Sequence, residues 1–406
     1  MQYRIVPKNG DKLSALGFGT MRLPQRGFRI DEKRAIAQLR YAADHGVNYF
    51  DTAVPYHGGE SEKLLGKALL DGYRERVRIA TKLPAWVLSK AEDMDKILDM
   101  QLKKLQTDHI DYYLLHGLDA GAWKKLQGFD VLKFLERVRS EGKIINTGFS
   151  FHGTRPTFKE IVDSNDWTMC QIQYNFLDEN LQAGTEGLCY AASKNLAVMI
   201  MEPLRGGVLA GKLPKDVKRI YDAADGKRSA AEWGLRWVWN HPEVTVVLSG
   251  MNAESQVKEN IRTCEDALPG SMGKAELSVV NDVAACYRRL MKVPCTGCGY
   301  CMPCPSGVNI PSNFSMYNQY YMFGGKMRTR GMYAALNMGL LHGKPTDASL
   351  CKSCGECVKR CPQHIAIPEE LKSVKRTLGG ARTKMMIPIF KRVFPRPRVK
   401  PEPQPD

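Results

Sequence analysis

The sequence predicts an α/β protein, a (β/α)8 TIM barrel followed by a smaller, mostly helical domain built around cysteines. Three observations carry that expectation. Between residues 16 and 260, short β-rich runs alternate eight times with longer stretches of helical periodicity, the pattern of a parallel sheet with helical crossovers. Eight such units in about 250 residues suit a closed barrel better than an open doubly wound sheet, which usually has fewer strands. Of the twelve cysteines, eight fall into two runs beyond residue 294, where the alternation has stopped.

The strand candidates are 16–19, 47–50, 77–82, 110–116, 144–150, 168–173, 196–201 and 244–249. Helical stretches follow them, among them 31–45, 60–70, 91–105 and 131–141. Ahead of the first strand, apolar residues at 3–6 and Leu13 flank Asn9-Gly10, a favoured two-residue hairpin turn, so a hairpin is expected to close one end of the barrel. Residues 272–291 read as a linking helix. The expected domains are therefore a barrel over 1–265, a linker over 266–292, a cysteine domain over 293–372 and a flexible basic tail over 373–406.

Composition excludes several classes. Hydrophobic residues make up 43% and charged residues 25% of 406, ordinary for a globular chain, and no apolar run approaches the ~20 residues of a membrane-spanning helix. Residues 1–8 are interrupted by Arg4, Pro7 and Lys8 and form no signal-peptide core, which places the protein in the cytoplasm. The net charge is +16, and residues 372–400 hold ten Lys or Arg and no acid. Such a field favours acidic electron carriers, anionic membrane surfaces or nucleic acid, and charge alone does not choose among them, though nucleic acid and membrane are the less favoured.

In a barrel, function sits where strands end. Asp51 follows the second strand, Tyr56 lies in its loop, Lys82 ends the third and His116 the fourth. An ammonium near a phenol lowers its pKa, a carboxylate holds the Lys, and a His supplies an orienting hydrogen bond, which together describe a Tyr acid for a carbonyl oxygen. Singly, Asp51 could cap a helix, Lys82 sit on the surface and His116 be a satisfied polar group; the coincidence of four points to catalysis.

These positions lie in LGFGTMRLP (16–24), NYFDTAVPYHGGESEKLLGKAL (48–69), IATK (79–82), IDYYLLH (110–116), GFS (148–150) and EPLRGGVLAGK (202–212), blocks in which the sequence resembles the aldo-keto reductase family. The resemblance implies that Asp51, Tyr56, Lys82 and His116 are a catalytic tetrad, and that NADPH or NADH binds extended over the barrel mouth to exchange hydride with a small carbonyl or alcohol. No G-x-G-x-x-G follows a strand. It also implies nicotinamide contacts from Ser150 and Gln171, further contacts from Pro203 and Leu204, and adenine-end contacts from Glu259 and Asn260. Three departures stand out: Phe151 replaces an Asn, Met201 a stacking Tyr, and Gly250 and Gln256 the basic pair that clamps the 2'-phosphate of NADP in many members. A barrel that keeps the tetrad but binds no nicotinamide is the alternative.

Cys295, Cys298, Cys301 and Cys304 form one run and Cys351, Cys354, Cys357 and Cys361 the other, each C-x2-C-x2-C with a fourth Cys followed by Pro. Zinc is the alternative ligand, although zinc sites usually space their Cys pairs farther apart; disulfides do not suit the cytosol. The runs resemble two-cluster ferredoxins, with one residue fewer before the fourth Cys of the first run. That resemblance implies two 4Fe-4S clusters, one on Cys295, Cys298, Cys301 and Cys361, the other on Cys351, Cys354, Cys357 and Cys304. The 46 residues between Cys304 and Cys351 are apolar enough for helices, so a helical ferredoxin-like domain is expected. Cys170, Cys189, Cys264 and Cys286 sit among apolar neighbours and read as buried small hydrophobes.

The leading function is a redox enzyme whose barrel moves hydride and whose clusters exchange single electrons, with an acidic carrier such as a ferredoxin or flavodoxin as partner. A reductase with structural or sensing clusters, and a non-enzymatic electron-transfer protein on a retained barrel, are the alternatives.

Overall fold

The computed structural model describes residues 1–388 apart from 28, 296, 298, 324, 341–343, 362, 384 and 386. The chain folds as two units, one made of 1–211 with 219–284, the other of 212–218 with the chain from 285 onward.

In the first unit the strands are β1 (Tyr3–Ile5), β2 (Lys12–Ser14), β3 (Leu16–Gly19), β4 (Gln25–Arg26), β5 (Arg29–Ile30), β6 (Tyr49–Asp51), β7 (Arg78–Pro84), β8 (Ile110–Leu118), β9 (Ile144–Phe151), β10 (Met169–Gln173), β11 (Ala197–Met201) and β12 (Val244–Ser249). Eight of them, β3 and β6 to β12, close into a parallel barrel in sequence order, with β12 pairing β3 through Val247 opposite Leu16. All eight strand candidates are therefore barrel strands. Helices fill the crossovers: α1 (Glu32–Asp44), α2 (Ser61–Ala68), α3 (Asp93–Leu105), α4 (Ala120–Gln127), α5 (Val131–Ser140), α6 (Arg155–Asp163), α7 (Gly184–Ser193), α8 (Lys215–Ala223), α9 (Ala230–Trp239) and α10 (Glu254–Asp266). Local signals set several starts; Asp31 accepts from Arg34 N–H at 3.3 Å to cap α1, and Ser229 from Glu232 N–H at 3.0 Å to cap α9.

The barrel interior follows from the period of two along each strand. Tyr49, Ala80, Tyr112, Leu114, Met169, Met199, Val246 and Leu248 fill it with apolar bulk, and Val6 and Leu13 from the hairpin join them. Two residues further along each strand the same inward stripe turns polar, at Asp51, Lys82, His116 and Gln171. Gly17 sits where the packing admits no side chain: a Cβ there would lie 2.7 Å from Val246 Cγ1 and 2.8 Å from Leu248 Cδ2.

Two local expectations need correction. The hairpin pairs Ile5 with Lys12, leaving a six-residue loop rather than a two-residue turn. Val6 N–H bonds Asp11 O and Gly10 N–H bonds Val6 O, both at 2.9 Å, Asn9 Oδ1 accepts from Asp11 N–H at 2.9 Å, and the Asn9 amide donates to Asn146 Oδ1 at 3.0 Å, so Asn9 braces the wider loop and also ties it to the barrel. Cys170, Cys264 and Cys286 are buried, but Cys189 is exposed, because it lies on the outer side of α7.

In the second unit α11 (Lys274–Leu290), which begins in the first, leads to α12 (Ile310–Met322), α13 (Lys326–Leu336), α14 (Glu356–Lys359) and α15 (Ile367–Leu378). No strand occurs in it among the described residues. Phe314, Tyr317, Tyr333, Ile367, Leu371 and Val374 form its core, with the cysteines packed around it. Asn318 accepts from Lys292 and Val293 N–H, both at 3.0 Å, and donates to Val293 O at 2.7 Å, which pins the chain just ahead of Cys295. Helix α15 continues to Leu378 and buries Val374 and Leu378, so the expected tail starts as helix; residues 389–406 lie outside the described residues. Among the described residues no helix is long and apolar enough to cross a membrane.

Filling the space at Gly17 tests the interior packing. Gly17→Ala is expected to lower stability by about 1–3 kcal/mol through overpacking, read from the denaturant midpoint of the full-length protein.

Candidate active site and cysteine centres

A cavity of about 280 Å³ opens where the barrel strands end. Asp51, Tyr56, Lys82 and His116 line it together with Ser150, Gln171, Met201, Pro203, Leu204 and Gly250. Gln256, Glu259 and Asn260 lie outside that lining. Gln256 instead accepts from Asn252 N–H at 2.9 Å at the start of α10, and buried Asn260 donates to Ser249 Oγ at 3.0 Å.

Lys82 is the centre of the arrangement. Its ammonium is 1% exposed and donates to Asp51 Oδ2 at 2.7 Å and to Thr52 O at 2.8 Å, while lying 5.1 Å from the Tyr56 ring. Burial alone would lower its pKa, but Asp51 and Tyr56 outweigh that and raise it, so Lys82 stays charged. Behind it, on the outer side of β7, Thr81 Oγ1 and Gln101 Nε2 each donate to Glu62 Oε1 at 2.8 Å, and Gln101 Nε2 reaches Lys82 O at 3.1 Å. This network fixes β7 to α2 and α3 and hence the root of the Lys82 side chain.

The direction at Tyr56 corrects the expectation. Burial raises its pKa more than Lys82 lowers it, and Asp51 and Glu202 add to the rise, so the phenol is held in its protonated form. His116 is pushed down to about 2 by burial, by Lys82 and by His152, and is neutral at ordinary pH. Its ring stands edge-on to Tyr56 at 6.3 Å and beside Trp86 at 4.9 Å, and its Nδ1 has no partner among the described residues.

Ser150 Oγ accepts from Gly117 N–H at 2.7 Å. Gln171 Nε2 reaches Met201 Sδ at 3.7 Å, and its buried Oε1 has no partner among the described residues. An amide carbonyl left unpaired in a cavity is costly unless a ligand donor meets it, which suits a carboxamide N–H. Sequence reasoning missed Arg22, His152 and Glu202, which line the same cavity. Each lies within a few residues of a strand end, the same positional signal that pointed to Asp51, Lys82 and His116. Arg22 has no ion pair among the described residues, and its side chain lies 3.1–3.3 Å from where a Gly250 Cβ would stand, so a side chain at 250 would crowd it.

The cysteines gather in two sets. Cys295, Cys301 and Cys361 line one apolar cavity with Ile310, Phe314, Ile365 and Ile367. Burial pushes the Cys357 thiol up, a backbone hydrogen bond opposes this, and nearby Cys304, Cys351 and Cys354 add to the rise. Cys298 lies outside the described residues. No group of three or more His, Cys, Asp or Glu among the described residues converges on a single metal ion. A cubane needs no such convergence, because each of its irons takes one thiolate.

A sequence model of the aldo/keto reductase family matches residues 15–274, and one of the 4Fe-4S dicluster domain matches 294–366. The chain belongs to the aldo/keto reductase family. Among its relatives, the L-galactose dehydrogenase of Arabidopsis thaliana is 29% identical over 310 residues, covering 70% of this chain and 94% of that protein. The NADH-specific methylglyoxal reductase of Escherichia coli (strain K12) is 24% identical, covering 68% and 96%. Among solved structures, an aldo-keto reductase of Bacillus halodurans in its holo form matches with a TM-score of 0.58 at 25% identity, covering 70% of this chain and 96% of that one. A Klebsiella pneumoniae member in complex with NADPH shares the fold, with a TM-score of 0.56 at 22% identity and coverage of 70% and 96%. The protein is thus an oxidoreductase of aldo-keto reductase type whose chain continues past the barrel into a region that matches the 4Fe-4S dicluster domain.

The neutral state of His116 has a consequence for stability. The unfolded chain takes up a proton near pH 6.5 whereas the folded chain resists until about 2, so stability falls as pH drops through that window. Each pH unit costs up to ~1.4 kcal/mol per such group. Urea unfolding between pH 5 and 7 is expected to show this slope, and His116→Gln to reduce it.

Proposed function

We propose that Tyr56 is the proton donor to the carbonyl oxygen in this barrel, with Lys82, Asp51 and His116 preparing it and Ser150, Gln171 and Arg22 holding the dinucleotide. The observation that carries the reading is the buried Lys82 ammonium bonded to Asp51 and facing Tyr56 in the cavity that also holds His116. A nicotinamide bound there supplies the hydride. The protein's own part is the proton. Tyr56 rests as a neutral phenol and donates its proton as negative charge grows on the substrate oxygen; Lys82 then stabilises the phenolate left behind. Neutral His116 retains one N–H with which to orient that oxygen. The reverse direction, alcohol oxidation, uses the same groups with Tyr56 as the base.

Ser150 and the unpaired Gln171 carbonyl suit the carboxamide, and Met201 supplies an apolar wall in place of a stacking ring. Arg22 brings a cation to the end of the cavity where Gly250 and Gln256 bring none. Among the described residues of the lining the other Lys or Arg is Lys82, already engaged by Asp51, so with Arg22 alone to grip a 2'-phosphate a strong preference for NADP over NAD is not expected.

In the second unit the cysteine groupings support two 4Fe-4S sites, Cys295, Cys298, Cys301 and Cys361 holding one and Cys351, Cys354, Cys357 and Cys304 the other. Such clusters supply one-electron transfer. Ser353 N–H donates to Cys351 Sγ at 3.4 Å, a contact that stabilises a thiolate. Thiolates kept for iron belong in a reducing compartment, which favours the cytoplasm.

Anaerobically purified protein is expected to hold about eight iron and eight sulfide per chain; zinc without iron would sink the cluster reading. Tyr56→Phe should cut carbonyl reduction by ~10²–10⁴ while NADH and NADPH still quench the protein fluorescence with unchanged affinity. Arg22→Ala should weaken binding of both dinucleotides by about tenfold or more, because a charge-assisted contact is lost. Retention of most turnover by Tyr56→Phe would show that another group donates the proton.

A further inference from the structure

The two thiolate sets differ in their surroundings. Cys295, Cys301 and Cys361 face Ile310, Phe314, Ile365 and Ile367, Cys301 is 9% exposed, and residues 295–304 contain no charged side chain. In the other run Cys354 is exposed, and so are its neighbours Lys352, Lys359 and Arg360. Against these three cations stands one acid, Glu356, which pairs with Lys359 at 3.0 Å. Lys352 and Arg360 form no ion pair among the described residues, and Val358 adds an apolar spot between the charges at 36% exposed. Cys295, Cys301 and Cys361 thus face hydrocarbon, whereas Cys354 reaches the surface in a run that carries three exposed cations.

We propose that the surface around Cys354, bounded by Lys352, Lys359 and Arg360, is the docking site of an acidic one-electron carrier protein and the port through which single electrons enter or leave. The inference rests on the cluster ligation set out above. Electron transfer between proteins needs close approach to the redox group, and among the described cysteines of the two runs Cys354 is the exposed one, with exposed cations in the same run to steer a partner. Lys352 and Arg360 form no close ion pair among the described residues, Glu356 acting on Arg360 only at a distance, so a carrier's carboxylates meet them without breaking an existing bridge. The step would balance simply: one electron would pass from the reduced carrier to the 4Fe-4S cluster that Cys351, Cys354, Cys357 and Cys304 would hold, with no covalent bond formed or broken and no proton moved. A hydride donor does not suit this port, because it delivers two electrons at once.

The test uses full-length holoprotein and a reduced plant-type 2Fe-2S ferredoxin as the acidic probe, with binding by calorimetry and transfer by anaerobic stopped flow. Wild type is expected to bind more weakly as ionic strength rises through ~0.15 M, where the Debye length falls to about 8 Å. The triple reversal Lys352→Glu, Lys359→Glu, Arg360→Glu should weaken binding by ~10-fold or more at low salt and flatten the salt dependence. A control reversal of three exposed barrel cations, Lys124→Glu, Lys125→Glu and Lys133→Glu, should leave binding unchanged. Iron content and the visible cluster band report whether each variant is loaded. If the triple reversal loses iron, the corresponding Gln variants, which remove charge without adding any, take its place. Wild type without iron overturns the ligation and the port together. Iron-replete protein in which both reversals bind the ferredoxin equally well overturns the port alone.

Discussion

A lysine ammonium taken wholly out of water has to be surrounded by acceptors, and much of the barrel's upper end is arranged to meet that demand. Lys82 spends its donors on Asp51 and Thr52 O and turns its remaining charge toward Tyr56. Removing one partner of such a buried pair costs ~3–5 kcal/mol, so the pair constrains both β6 and β7 as well as the chemistry. A chain of hydroxyls secures the carboxylate side: Thr20 Oγ1 donates to Asp51 O at 2.9 Å, and Ser61 Oγ lies 2.7 Å from Thr20 and 3.0 Å from Thr52. Glu62, Thr81 and Gln101 secure the lysine side from behind the strand. The LGFGTMRLP, NYFDTAVPYHGGESEKLLGKAL and IATK blocks therefore serve one purpose, holding a charged amine in a dry place beside a phenol.

The same low polarity sets the protonation states. Tyr56 and His116 both move toward their neutral forms, the first upward and the second downward, because burial opposes charge of either sign. A neutral phenol beside a permanent cation is ready to give up its proton when negative charge appears on a bound oxygen, and a neutral imidazole next to it does not add a second positive charge that would compete with Lys82. Acid and electrostatic support are separated between two residues instead of being combined in one.

In the second unit a compact helical core holds the cysteines in place of a large sheet. Tyr333 OH donates to Asn313 Oδ1 at 2.8 Å and accepts from Ala348 N–H at 3.1 Å, tying the helices between the two runs to the turn that starts the second. The long interval between Cys304 and Cys351 is thus scaffold, and Ile310 and Phe314 of α12, with Ile365 and Ile367 from beyond the second run, line the cavity of Cys295, Cys301 and Cys361. Under the proposed function, hydride chemistry and single-electron chemistry fall to separate units of one chain.

The sequence by itself determined the barrel, its eight strands, the four polar residues that meet at its mouth and the two cysteine groups. These are legible because they rest on local rules: alternation along a strand, residue type at a strand end, and spacing between ligands. Tertiary structure decided the rest. Asn9-Gly10 has the sequence of a tight turn, yet Asn146 claims the Asn9 amide and the loop opens to six residues. The fall in the Tyr56 pKa expected from Lys82 alone is reversed by burial, a property of the whole upper barrel that no spacing reveals. Arg22, His152 and Glu202 reach the cavity after three different strands, and Arg22 packs closely against Gly250, more than two hundred residues away in sequence, where a side chain would crowd it. Local patterns fix where the chain goes, but desolvation and close approach depend on which distant segments meet, and only the folded chain brings those together.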